Sequence, residues 1–149
     1  MNRIALITGA TSGIGEACAR KFSGYDLVLT GRNKEKLEAM KAELEGVEVT
    51  TLAFDVRDRK AAQEALDSLT GRWRDIDVLV NNAGLALGLD KEFEGDIDEW
   101  STMIDTNIKG LLTMTRLVVP HMVERNHGHV INIGSVAGDQ AYAGGNVYC

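Results

Sequence analysis

Aromatic side chains make up only 5% of the 149 residues, proline occurs once and cysteine twice, and the 16 Lys and Arg are outnumbered by 22 Asp and Glu. Each shortage excludes something. Cys18 and Cys149 lie far apart and form no metal spacing, which excludes a disulfide framework; free thiols fit a reducing cytosol, so the expected location is cytoplasmic. A net charge of −6 works against nucleic acid or an anionic membrane as the main partner, because both reward a basic surface. It leaves room for a local basic site on a phosphate. No apolar run approaches the ~18–20 residues of a membrane-spanning helix, and Met1-Asn2-Arg3-Ile4 leads straight into structure. No internal repeat, low-complexity stretch or linker interrupts the chain. What is present is globular: 44% hydrophobic and 26% charged residues, at a length suited to one domain, 1–149, with a sizeable core.

Short β-branched runs alternate with helical patterns from the first residues onward. Arg3–Thr8 reads as a buried strand. It leads through a Gly-rich turn into a helix with Ile14, Ala17, Cys18 and Phe22 at helical spacing. Tyr25–Thr30 is a second strand, and Asn33 caps a helix whose Leu37, Met40 and Leu44 share one face. Val47–Phe54 is a third strand, followed by a helix that Asp58 caps and that carries Ala61, Ala62, Ala65, Leu66 and Leu69. Ile76–Val80, apolar throughout, suits a strand covered on both sides. Asp96-Ile97-Asp98-Glu99 reads as a capping box before a long helical pattern from Trp100 to about Asn126, with a kink expected at Pro120. Ile108, Leu111, Leu112, Val118, Val119 and Met122 are its expected core positions. His129–Gly134 is a fifth strand, and Gly- and Ala-rich loop follows. Such alternation implies an α/β fold, a parallel sheet with helices on both faces joined by right-handed crossovers.

Several stretches point to chemistry. Thr8–Gly15 (TGATSGIG) lies between the first strand and first helix, where a helix N-terminus offers free N–H groups and the positive end of its dipole to a phosphate. Its glycines allow a tight turn and close backbone approach. NAD-binding folds usually carry an acid at the end of the second strand, but here the residues are Thr30-Gly31-Arg32-Asn33, and Asp26 sits at the wrong end. Arg32 suits a ribose 2′-phosphate instead, which points to NADP. Asp55 is placed to accept from an adenine amino group while Val56 offers its N–H; a turn or helix-capping aspartate fits the spacing equally. In Asn81-Asn82-Ala83-Gly84 the small residues let a ribose pass and the amides pin neighbouring strand ends. Ser135 ends the fifth strand, and Tyr148 lies further on at the same sheet edge. A hydroxyl pair there suits carbonyl reduction, one polarising the oxygen and the other moving the proton. His127 and His129 lack a third ligand and read as a solvated turn, so no metal is expected.

Taken in order, TGATSGIG, NNAG, Asn107 in DTN, IGSVAG and Tyr148 resemble the motif set of the short-chain dehydrogenase/reductases. NNAGLALG, MIDTNIKG, MVERNHGHVINIGS and YAGGNVYC are most similar to the NADP-dependent 3-hydroxy acid dehydrogenases of that family. The resemblance implies a Rossmann-like doubly wound parallel sheet in the order 3-2-1-4-5. It also implies an oxidoreductase that moves a hydride between NADP and C3 of a small 3-hydroxy acid such as serine or allo-threonine. By that likeness Tyr148 is the general acid/base, Ser135 orients the substrate oxygen, and Asn107 supports the proton relay. Gly9, Thr11, Ser12, Gly13, Ile14 and Gly15 hold the cofactor phosphates and Arg32 the 2′-phosphate. Asp55 and Val56 meet the adenine, and Asn82, Ala83 and Gly84 the ribose side. A homo-oligomer, dimer or tetramer, is implied for the full-length form, with the apolar face of the long helix serving as subunit interface as well as core and part of it left exposed on this chain.

One departure matters. The family motif is YxxxK, and its lysine, which activates the tyrosine, falls beyond Cys149. The expectation is therefore the NADP-binding N-terminal part of a longer single-domain enzyme, truncated before the last strands and inactive by itself. Two alternatives stand beside it: a reductase of another carbonyl, such as a 3-oxoacyl thioester, and a dinucleotide-binding module without catalysis.

Overall fold

The computed structural model describes residues 2–149. Five parallel strands form one sheet in the order β3-β2-β1-β4-β5: β1 Arg3–Ile7, β2 Tyr25–Gly31, β3 Val49–Ala53, β4 Ile76–Asn81 and β5 His129–Asn132. The expected order is thus observed. Alternate residues of β1 serve opposite faces, as a pleated strand requires. Ile4 and Leu6 join Val28, Leu52, Met114, Val118 and Met122 on one side. Ala5 and Ile7 join Leu27, Leu29, Leu37 and Met40 on the other. This two-sided burial explains why the central strands carry unbroken apolar runs.

Helices α1 (Gly13–Lys21), α2 (Lys34–Glu43) and α3 (Arg59–Asp67) follow the first three strands. Asn33 and Asp58 cap α2 and α3 as expected, accepting from Lys36 N and Ala61 N at 2.9 and 3.0 Å. In α1 the buried face differs from expectation. Gly15 and Ala19 are buried, Cys18 and Phe22 pack against the core, and Ile14 and Ala17 are exposed. The first turn brings Gly15 against the Gly9 carbonyl, which leaves Ile14 outside. The capping box before α4 (Ile97–Met103) is half formed: Asp96 accepts from Asp98 N at 2.8 Å, while Glu99 reaches toward Gly88.

The long helical region breaks at a different place from the one expected. Pro120 lies inside a continuous α5 (Leu111–Glu124), and the irregularity is a π-helical turn over Ile104–Gly110. Such widened turns cluster at functional sites; this one turns Thr106 and Gly110 inward, both buried, while Asn107 bonds to Leu85. Val118 and Met122 are buried as expected, but Ile108 and Leu112 are more than half exposed on this chain. At the opposite end of the sheet Asp26 is buried and ion-paired to Arg72 at 2.7 Å, with further bonds from Glu48 N and Asn2 Nδ2. Burial alone would raise its pKa; the Glu48 N–H and Arg72 outweigh that and hold the carboxyl below its ordinary value.

Candidate active site

A cavity of about 720 Å³ runs along the sheet edge where the strands end, lined by the loops that follow all five. Ligands of open α/β sheets bind on this edge, at the point where strand order reverses. Strand order alone arranges its contents. Asp55, after β3, and Arg32, after β2, stand on one side, the glycine loop after β1 is central, and Asn82 after β4 and Ser135 after β5 complete the other. Every candidate residue from the sequence lines this cavity except Gly15.

The glycine loop shows why its sequence is restricted. Gly9 and Gly13 have φ of +63° and +53°, a region that side chains rarely enter. A Cβ on Gly15 would collide with the Gly9 carbonyl oxygen and Asn82 Nδ2, whereas one on Gly13 would meet open space. Gly15 therefore shapes the loop from behind, and Gly13 faces the cavity. Ser12 stands at the N-cap of α1 but its side chain caps nothing, so the first N–H groups of the helix stay available to an anion.

Two residues fasten this loop to the end of β4. Thr8 Oγ1 accepts from Asn82 N and Ala83 N at 3.0 and 2.9 Å. Asn82 Nδ2 donates to Thr8 O and Gly9 O at 3.0 and 3.1 Å. Asn81 Nδ2 donates to Asn132 Oδ1 and Thr115 Oγ1, tying β4 to β5 and α5. The amides of this motif thus pin strand and loop ends, and the Asn82 nitrogen is committed to the protein.

Charge is uneven along the cavity. Arg32 is exposed and, among the described residues, forms no ion pair. Asp55 is partly buried and bonded to Arg57, whose Nη2 lies 2.7 Å from Oδ2. The Arg57 bonds, the largest influence, hold the Asp55 carboxyl below its ordinary pKa; partial burial opposes them and the Arg32 charge assists. Beside Val56, a Cβ on Gly110 would stand 2.7 Å from Val56 Cγ2, so that glycine permits the π turn to pack there. Among the described residues, Thr30 Oγ1, Asn81 Oδ1 and Thr106 Oγ1 are buried without a hydrogen-bond partner. All three residues line the cavity.

Asn107, Ser135 and Tyr148 share the cavity. Asn107 bonds through its amide to both main-chain groups of Leu85. Ser135 Oγ accepts from Ala137 N at 3.2 Å, opening a short 3₁₀ turn over Val136–Gly138. Tyr148 closes another such turn, Asn146–Tyr148. Sequence reasoning did not single out Thr30, Arg57 or Thr106. Each stands within two residues of a candidate that it did name, and adjacency in sequence was the one available signal.

A Rossmann-like α/β sheet with its cleft at the switch point is the class that this frame defines. The sequence model described as short chain dehydrogenase matches residues 3–149, and the chain belongs to that family. The NADP-dependent 3-hydroxy acid dehydrogenase YdfG of Salmonella typhi is 58% identical over 147 residues, 97% of this chain and 59% of the relative. The crystal structure of serine dehydrogenase from Escherichia coli superposes with a TM-score of 0.90 at 53% identity, covering 97% of this chain and 68% of that one. The closed form of serine dehydrogenase complexed with NADP+ gives 0.91 at 53% identity, covering 97% and 59%. The chain thus spans 59% of the length of the curated relative from Salmonella typhi.

Proposed function

We propose that this chain supplies the cofactor site and the hydroxyl pair of an NADP-dependent oxidoreductase acting on a small 3-hydroxy acid, serine or allo-threonine among the candidates. The observation that carries the reading is one cavity lined by Arg32, which forms no ion pair among the described residues, by an open helix N-terminus and by Ser135 and Tyr148. The cavity fits the cofactor. Gly13 leaves its wall clear, and buried polar atoms of Thr30, Asn81 and Thr106 lack protein partners there. The names of the relatives support NADP and the substrate class.

When bound, the nicotinamide accepts or returns a hydride. The chain's own residues do the rest. Ser135 donates a hydrogen bond to the substrate oxygen, and Tyr148 takes or returns the hydroxyl proton. Asn107 keeps the loop after β4 in register with them. Gly9, Thr11, Ser12, Gly13, Ile14 and Gly15 shape the phosphate cradle. Val56 offers its N–H to the adenine, and Ala83 and Gly84 leave passage for the ribose. The exposed Ile108 and Leu112 support a homo-oligomer in which that helix face is covered. Two free thiols support a cytoplasmic setting; among the described residues no helix is long and apolar enough to cross a membrane.

The test is a fluorescence titration of these 149 residues with NADP+ and NAD+, followed by L-serine and absorbance at the reduced-nicotinamide band. Preference for NADP+ over NAD+ is the expected result, because Arg32 stands where NAD-binding folds usually carry an acid. Preference for NAD+ would overturn the use of Arg32, and no binding of either would leave the fold alone.

A further inference from the structure

We propose that Asn146 is a positioning residue for Tyr148, acting by clamping the turn that carries the tyrosine to the loop after β4. The inference rests on the reading of Tyr148 as the proton-transfer group.

The segment Leu85–Asp90 follows β4 without helix or strand, and among the described residues its main chain is held by side chains from elsewhere. Asn107 grips Leu85 N and O. One turn earlier, Met103 Sδ accepts from Leu87 N at 3.3 Å. Met103 is only 1% exposed, so this weak acceptor is shielded from competing water. At the far end Asn146 Nδ2 donates to Asp90 O. Leu89 O presses on Gly144, where a Cβ would stand 2.5 Å away. The segment is therefore a strap, rooted on α4 and the π turn and lying across the residues that precede Tyr148. Helix α4 also packs against the Asn146–Tyr148 turn.

Asn146 opens that turn and Tyr148 closes it. Gly145 N donates to Tyr142 O at 2.9 Å and Tyr148 N to Gly145 O at 3.0 Å, so the backbone at Asn146 sets the direction in which the tyrosine leaves the turn. Its φ is +48°, a left-handed conformation that asparagine enters more readily than most side chains. The bond to Asp90 O holds the residue there. Tyr148 and Asn107 line the same cavity, and the strap joins them into one frame: Asn107 fixes its start, and Asn146 fastens its end to the turn of Tyr148.

The test labels the three tyrosines with carbon-13 at the ring ε positions and follows them by NMR, free and at saturating NADP+; loss of a signal in Tyr148→Phe assigns Tyr148. Asn146→Asp keeps the size and the tolerance of positive φ but lacks the donor. Asn146→Gly keeps the backbone freedom and lacks the side chain, and Asn146→Ala lacks both. In wild type, NADP+ is expected to shift the Tyr148 signal. In Asn146→Asp and Asn146→Gly the free signal moves toward that of an unstructured tyrosine and its response to NADP+ shrinks about fivefold, the population change that accompanies one lost hydrogen bond, with circular dichroism unchanged. Asn146→Ala moves it further. Wild-type behaviour of Tyr148 in both Asn146→Asp and Asn146→Gly would overturn the proposal; if Asn146→Ala alone displaced the signal, backbone conformation and not the clamp would be responsible. Equal movement of the Tyr25 signal, on β2, would mean general loosening and overturn it as well. A wild-type Tyr148 signal indifferent to bound NADP+ would instead overturn the proton-transfer reading, and this inference with it.

Discussion

Asn107 holds Leu85 by both of its main-chain groups, Oδ1 accepting from Leu85 N at 2.9 Å and Nδ2 donating to Leu85 O at 2.7 Å. The side-chain amide thus stands in for a peptide group of a neighbouring strand. The π turn makes the grip possible, and Gly84 lies close by, where a Cβ would be 3.3 Å from Asn107 Oδ1. Truncation to alanine leaves two partly buried backbone groups unpaired. Asn107→Ala is expected to lower stability by about 2 kcal/mol, read as a lower urea midpoint at unchanged slope, and to weaken NADP+ binding. Unchanged stability would show that water replaces the amide freely.

Gly13 and Gly15 separate folding from binding. Alanine at Gly15 would strike the Gly9 carbonyl and Asn82 Nδ2, so Gly15→Ala is expected to cost several kcal/mol or prevent folding, as overpacking and backbone displacement do. Alanine at Gly13 meets no protein atom within 4 Å and carries only the strain of φ +53°, about 1 kcal/mol. Gly13→Ala should therefore fold, as circular dichroism would show, and lose affinity for NADP+. Equal stability of the two variants would refute the distinction.

Asp26 gives a pH dependence of defined sign. Its carboxyl is held below the ordinary value, mainly against its own burial, by the Glu48 N–H and Arg72. A depressed folded-state pKa contributes stability that is complete above the unfolded value of ~3.9 and is lost as pH falls through the folded one. Asp26→Asn is expected to cost about 2 kcal/mol at neutral pH, below the usual figure for a broken buried pair because Arg72 retains Glu48 at 2.7 Å. The gap between wild type and variant should stay constant from pH 8 to 5 and close below 4, followed by urea unfolding. A gap that persists at pH 3 would mean that packing, not charge, is what the substitution removes.

The parallel strands and the helix caps were legible in the sequence because each rests on local pattern, whereas the strand order 3-2-1-4-5 came from the family resemblance. Alternating apolar runs demand a parallel sheet, Asn33 and Asp58 precede helical periodicity, and the ends of parallel strands converge on one edge. The illegible parts depend on contacts far apart in sequence. Leu85 draws on Asn107, and Val56 meets Gly110, so the helix widens at Ile104–Gly110 while the more conspicuous Pro120 is carried without a break. Ile14 looks like a core position by spacing, yet Gly15 must approach Gly9 and the isoleucine is left outside. The spacing leaves Asp55 equally an adenine acceptor or a turn aspartate; the turn forms, with Arg57 N donating to Oδ1 at 2.9 Å, and the Arg57 side chain folds back onto the same carboxylate.

Thr106 shows what the widened turn costs the ligand-free protein. Thr115, in the regular α5, donates from Oγ1 to Leu111 O at 2.8 Å, the usual resting place of a helical threonine hydroxyl. Among the described residues, the Thr106 hydroxyl makes no such bond, although the residue is only 7% exposed and lines the cavity. A buried hydroxyl without a partner is destabilising by about 1–3 kcal/mol. Valine has the same shape without that penalty, so Thr106→Val is expected to raise the urea midpoint of the free protein, by about 1 kcal/mol in stability. If the cofactor supplies the missing partner, the same substitution weakens NADP+ several-fold while Thr106→Ser retains binding. The two effects have opposite signs on one residue, and a conserved hydrogen bond within the protein would instead make Thr106→Val less stable with its affinity unaltered.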